Sequence, residues 1–282
     1  APWGSRARPS AAEAALPHAA TAVLVNGARL YVDHAHPEYS SPEVLTPHDA
    51  LVWDRAGEVV ARNAMEGLSD GDRCAGAPAE IVLYKNNVDG KGAAYGSHEN
   101  YLVRRDLPLE ELAAVLIPFL VTRPVVVGAG RVGIGQRSER PGFQISQRAD
   151  YVESEIGLQT TFNRPIINTR DEAHADTHRY RRLHIIVGDS SLAEPTLALK
   201  IGSTTLILEM IEAGFPNLPH LEFANNMAAI RTISRDLTGQ TPIPTTTGSV
   251  TTALELQQRY LDAATEWLTR REETGGTTNT EL

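Results

Sequence analysis

The 282-residue chain is 41% hydrophobic and 22% charged with a formal charge of -9, a composition that suits a folded protein with one large core or two modest ones. The acidic balance argues against a broad nucleic-acid interface, and no apolar run reaches the roughly 18 to 20 residues of a transmembrane helix. A single cysteine, Cys74, cannot close an internal disulfide, and the start lacks the charged-then-apolar order of a signal peptide, so the cytoplasm is the expected compartment.

Residues 1–22, rich in Ala, Pro and Arg, are expected to be a flexible loop, residues 23–272 the folded body and residues 273–282 a disordered tail. The segment from Arg29 to Tyr39 reads as a strand and the turn after it, and it is unusually dense in charge and histidine. Alternation sends Leu30 and Val32 toward a core and puts Arg29, Tyr31 and Asp33 on the other face. Thr46-Pro47-His48-Asp49 supplies an N-cap, a proline at the first helical position and early negative charge, which predicts a helix through Leu51, Val52, Val59 and Val60. Ser69 to Pro78 is a turn-rich break, and Ile81 to Tyr84 reads as a buried strand. Asn86 to Gly96, with three glycines among polar residues, is a loop able to approach a ligand.

A strand is predicted over His98 to Val103, and a buried helix over Leu109 to Val121. Short strands follow at Val125 to Val127, Gly142 to Gln147 and Tyr180 to Val187. The periodicity makes Thr196 to Ala213 and Ser249 to Thr269 helical. Gly128-Ala129-Gly130-Arg131-Val132-Gly133 matches a dinucleotide fingerprint, but a loop rather than a helix follows the third glycine, so that reading is rejected.

Four of the strands combine an apolar face with a polar one. The polar sides carry Arg29, Tyr31 and Asp33; His98 and Asn100; Gln144, Ser146 and Arg148; and Arg182 and His184. This pattern predicts a sheet backed by helices and open in front, with a face suited to divalent metal and phosphate. Glu38, with Tyr31 as a neighbour, offers oxygen ligands for Mg²⁺, and imidazole at His98 and His184 widens the choice toward Mn²⁺. Arg148, Arg170 and Arg182 offer fork-shaped donors for carboxylate or phosphate, and Asp33 can act as base or nucleophile. For His18, His48, His178 and His220 a surface or packed role is the default, and Thr169 to Asp176 can equally be a solvated charged loop.

Several long polar words then stand in a recognisable order: Tyr31 to Tyr39, Lys85-Asn86-Asn87-Val88-Asp89-Gly90-Lys91-Gly92, Tyr95-Gly96-Ser97-His98-Glu99-Asn100-Tyr101, Ile167 to Glu172 and Arg181-Arg182-Leu183-His184. The chain resembles the Pup ligase and depupylase family from about Val25 to Ala213. Val88 to Gly92, Arg131 to Gly135 and Ala149 to Glu153 are more similar to the depupylase branch, the deamidases of Pup, than to the ligases.

The resemblance implies an α+β fold, a glutamine-synthetase-like curved antiparallel sheet packed against helices, with residues 23–272 as part of its large catalytic domain. It implies ATP and Mg²⁺ as cofactors, and Pup, pupylated proteins and the proteasome pathway as partners, with no nucleic acid or membrane. The implied reaction is hydrolysis of the isopeptide bond between the C-terminal glutamate side chain of Pup and a substrate lysine, together with deamidation of a C-terminal glutamine of Pup. By position, Asp33 matches the essential aspartate, and Tyr31, Glu38, His98 and His184 match metal positions. Ser40, Ser41, Asn100 and Arg182 match nucleotide contacts, Arg148 and Arg170 are similar to active-site arginines, and Arg29 flanks the nucleotide side. Family members begin with a Glu-x-Glu metal strand and end in a smaller domain, so a partial gene product is expected. A Pup ligase of the same fold and a non-catalytic Pup- or nucleotide-binding fragment are the alternative expectations.

Overall fold

The structure, a computed structural model, describes residues 21–33, 36–69, 81–89, 91–160 and 162–273. The expected loop up to Ala20, His34, the break at 70–78 with Cys74, and the tail beyond Glu273 lie outside the described residues. Two units make up the chain, Ala1–Leu83 and Tyr84–Leu282.

In the first unit, β1 (Thr21–Val23), β2 (Arg29–Asp33) and β3 (His36–Ser40) form an antiparallel sheet in that order. The β1–β2 turn closes through Gly27, whose φ of 84° is costly for a residue with a Cβ. Its amide donates to the Leu24 carbonyl, and the Asn26 side chain accepts from the Ala28 amide. The expected turn after Asp33 is therefore largely a strand, and Thr21 and Ala22, placed in the expected loop, are paired in β1. Val32 does not enter a core. It is 53% exposed, because no element of this sheet covers its outer face among the described residues.

Helix α1 (Pro47–Ser69) starts where the sequence signals it, with Thr46 Oγ1 accepting from the Asp49 amide at 3.1 Å. The helix meets β3 closely at Gly57, where an added Cβ would lie 2.5 Å from the Tyr39 ring. The run Ile81 to Tyr84 is neither paired nor buried, a correction to the predicted strand. Apolar β-formers become a strand only where a neighbouring strand takes up their backbone groups.

In the second unit a four-stranded sheet runs in the order β4 (Glu99–Arg104), β9 (Tyr180–Ile185), β8 (Pro165–Asn168), β7 (Ser154–Gly157). The β7–β8 pair is parallel, and the other two pairs are antiparallel. A hairpin of β5 (Arg131–Ile134) and β6 (Arg140–Gln144) stands apart from this sheet. The glycine-rich fingerprint thus leads into a strand, in agreement with its rejection as a nucleotide-binding turn.

Behind the sheet lies the core. Helix α2 (Leu109–Thr122) is buried along most of its length, as its near-continuous apolar sequence requires. It packs with α4 (Glu194–Glu212), α5 (Asn226–Arg235) and α6 (Ala253–Glu273), through residues such as Leu116, Phe119, Ile207, Ile230 and Tyr260. Helix α6 begins with a reciprocal capping box in which Thr252 Oγ1 accepts from the Glu255 amide and Glu255 accepts from the Thr252 amide. The preceding Val250–Thr251 (β11) pairs with Ile243–Pro244 (β10), so the helix starts later than its periodicity suggested.

Val125 to Val127 is a helical turn, α3 (Pro124–Val127), and not a strand. Pro124 presets the first helical position, and the Val127 and Gly128 amides donate back to Arg123 and Pro124, which overrides the β-preference of valine. Strand β6 stops at Gln144 rather than Gln147, because the Ile145 amide donates to the Ser234 carbonyl at 2.6 Å. Gln144, Ser146 and Arg148 are consequently buried instead of lining an open sheet face. Among the described residues no helix is long and apolar enough to cross a membrane.

Candidate functional site

In the first unit the register of β2 against β3 gathers most of the predicted groups on one face. Arg29 lies opposite Ser40, Tyr31 opposite Glu38 and Asp33 opposite His36. Directly opposed residues in an antiparallel pair share a face, so Arg29, Tyr31, Asp33, Glu38 and Ser40 line up together with His36. Ser41 follows the strand end and is exposed.

In the second unit the front of the four-stranded sheet collects His98, Asn100, Arg182 and His184. Asn100 lies opposite His184 in the β4–β9 register, and Asn168 of β8 lies opposite His184 on its other side. The His98 ring, just before β4, meets the His184 ring edge-on with centroids 4.9 Å apart. Arg182 Nε donates to Asn100 Oδ1 at 2.7 Å, which fixes that guanidinium across the strands. Arg170 is exposed beyond the end of β8, its amide donating to Asn168 Oδ1 at 2.9 Å.

His184 is 2% exposed, and neither ring nitrogen has a hydrogen-bond partner. Burial, with His98, Arg182 and Arg170 adding positive charge, pushes its pKa down to about 3. The imidazole is therefore neutral near pH 7, with no hydrogen-bond partner for its lone pair among the described residues. Buried polar atoms are ordinarily satisfied, and an unsatisfied neutral imidazole beside a second imidazole fits a divalent metal that accepts nitrogen. Among the described residues no group of three or more His, Cys, Asp or Glu side chains could by itself hold a metal ion.

Arg148 is buried below this face. Its Nη1 donates to the Gly188 carbonyl at 2.7 Å, Nε lacks a partner, and burial lowers its pKa to about 10. The Thr169 to Asp176 stretch is not merely a solvated loop. Asp171 pairs with Arg105 at 2.6 Å and accepts from the Arg182 amide at 3.0 Å, bracing the strand that carries Arg182 and His184.

Sequence reasoning missed a buried layer behind these residues. Glu99, between His98 and Asn100, points to the rear and accepts from both terminal nitrogens of Arg123 at 2.7 and 2.8 Å. Asp189, four residues after Ile185, accepts from the amides of Ala129, Gln147 and Arg148 and from Ser146 Oγ. Asn168 and the β8 strand were also missed. The apolar run Pro165 to Ile167 ending in an amide was the available signal.

Two of the three stretches singled out above meet at Asp150 and Tyr151, and the third approaches the β5–β6 hairpin, where a Cβ added at Gly92 would lie 3.0 Å from the Arg137 side chain. Asp150 accepts from the Gly135 amide and the Gln144 side chain, and Tyr151 donates to the Gln136 carbonyl. Arg131 lies 6.0 Å from the Tyr151 ring centre.

Comparison with known proteins places this geometry. Residues 4–281 match the model of a family described as Pup-ligase protein. A Pup deamidase/depupylase of Mycolicibacterium smegmatis is 53% identical over 254 residues, covering 90% of this chain and 50% of that protein. A Pup--protein ligase of Corynebacterium diphtheriae is 49% identical over 261 residues, covering 92% and 53%. Among solved structures, the Pup ligase PafA in complex with ADP is similar with a TM-score of 0.78 and 45% identity, over 89% of this chain and 54% of that one. PafA in complex with Pup is similar at the same TM-score and 47% identity, over 89% and 50%. The chain spans about half the length of the curated relatives it matches. With residues 4–281 matching its model, the chain belongs to the Pup-ligase protein family.

Proposed function

We propose that the chain carries depupylase and deamidase chemistry: hydrolysis, with ATP and Mg²⁺ bound, of the isopeptide bond between the C-terminal glutamate side chain of Pup and a substrate lysine. Deamidation of a C-terminal glutamine of Pup is the same reaction on a primary amide. The observation that carries the reading is the buried, neutral His184 with both nitrogens unsatisfied against His98, on a face that also holds Asn100 and Arg182. The stretches Val88 to Gly92, Arg131 to Gly135 and Ala149 to Glu153, which resemble the depupylase branch more than the ligases, favour depupylase chemistry.

In this reading Asp33 supplies the carboxylate that acts on the amide carbonyl, as nucleophile or as base toward water. Tyr31, Glu38, His98 and His184 hold the metal, and Asn100, Arg182, Ser40, Ser41 and Arg29 bind the nucleotide, with Arg148 and Arg170 as further positive charge. The bound Mg²⁺ contributes Lewis acidity and phosphate orientation. The guanidinium of Arg182, fixed by Asn100, is pre-organised for a phosphate or carboxylate without further ordering. The partners proposed are Pup and pupylated proteins, in the cytoplasm.

A ligase reading has its own support, because the two solved structures described above are of the Pup ligase PafA, one with ADP and one with Pup. Product analysis separates the two. Incubating the chain with Mg²⁺-ATP and a Pup-conjugated protein is expected to yield unmodified protein and free Pup. Attachment of glutamate-ended Pup with stoichiometric ADP would support the ligase instead, and binding without turnover of either kind would leave a binding fragment.

A further inference from the structure

Lys200 is a charged side chain with no role in the reading above, yet it is buried to 2% exposure on α4. Its ammonium donates to the Asp189 carbonyl at 2.9 Å and to Ser97 Oγ at 3.4 Å. Ser97 precedes His98, and Asp189 lies in the segment that continues from the His184 strand. One ammonium thus joins the two chain segments that present the histidine pair.

Around it sits a buried ionic network. Glu99 and Arg123 are bonded through both carboxylate oxygens, Arg123 Nη1 also donates to Thr204 Oγ1 at 2.7 Å, and Tyr101 donates to Glu99 at 2.9 Å. Arg148 reaches the Gly188 carbonyl, and Asp189 binds the Arg148 amide. Arg123, Arg148 and Lys200 are thus all buried close to Glu99 and Asp189. Burying an ammonium is costly, and replacing buried charge by an apolar group of similar volume is often neutral or stabilising. A lysine kept only for stability is therefore a poor account of this position.

We propose that Lys200 is a positioning residue, holding Ser97 and Asp189 so that the His98 and His184 rings meet. The inference rests on the metal reading of that pair, but it concerns geometry that exists without metal.

The test is Lys200→Met in the full chain, with three measurements: thermal melting, Mn²⁺ affinity by calorimetry, and the imidazole resonances of His98, His184 and exposed His220. The expected result is a melting temperature equal to or above that of the wild type, Mn²⁺ bound about 10- to 100-fold more weakly, as for other groups that orient metal ligands, and His98 and His184 resonances displaced while His220 stays. Unchanged histidine resonances would overturn the proposal. So would a variant that melts far lower or fails to fold, because that outcome assigns Lys200 to stability. If the wild type binds no Mn²⁺ but the two resonances still move in the variant, the positioning role stands and the metal reading fails.

Discussion

At the residue scale, the front and rear of β4 divide the work. His98 and Asn100 face outward, while Glu99 turns back into a bidentate pair with Arg123. Although burial raises the Glu99 pKa, Arg123 and Lys200 outweigh it and hold the carboxyl below its usual range. Glu99→Ala should therefore be severe, since it strands the Arg123 charge in the core, and about 3–5 kcal/mol of stability should be lost in denaturant unfolding. A loss under about 1 kcal/mol would mean that Arg123 finds water or another acceptor. The outward residues were legible because period two and polar identity coincide in His98-Glu99-Asn100 and Arg182-Leu183-His184. The inward acids were not, because a carboxylate whose partner is 24 residues away carries no local mark of it.

At the element scale, helices with strong end signals were readable. Thr46 caps α1 as expected, and the apolar run of α2 is buried as expected. Strands were harder. Valine and isoleucine runs at Ile81 and Val125 lack a pairing neighbour or follow a proline, whereas His36–Ser40 pairs despite its proline and charges. Register, which no single segment encodes, is what set Tyr31 across from Glu38. Gly57→Ala tests the α1–β3 packing: helix propensity would favour alanine by about 1 kcal/mol, but overlap with the Tyr39 ring should outweigh it, for a net loss of about 1–3 kcal/mol. A rise in melting temperature would contradict the close approach. The end of α5 offers a pH test. Burial pushes the Asp236 carboxyl upward, but hydrogen bonds from Thr238 and Thr241 prevail and hold it far below its usual range. A depressed folded pKa stabilises above the unfolded value, near 4, and that contribution fades as pH falls. The stability difference between wild type and Asp236→Asn should be largest near neutral pH and shrink below about pH 4; a difference independent of pH would refute it.

At the scale of the whole molecule, family membership was readable because it rests on long polar words in fixed order, parts of which fall on the paired strands β2–β3 and β4–β9. The α+β class followed from the same words, while the parallel β7–β8 pair and the separate β5–β6 hairpin were set by strand pairing that those words do not encode. The central claim is that this chain cleaves Pup from proteins with Asp33 as the reacting group. Its most direct test is the release of unmodified protein from a Pup conjugate under Mg²⁺-ATP, followed for the wild type and for Asp33→Asn. The account predicts release by the wild type and none by the variant; equal release by both, or ATP-driven conjugation in place of release, would contradict it.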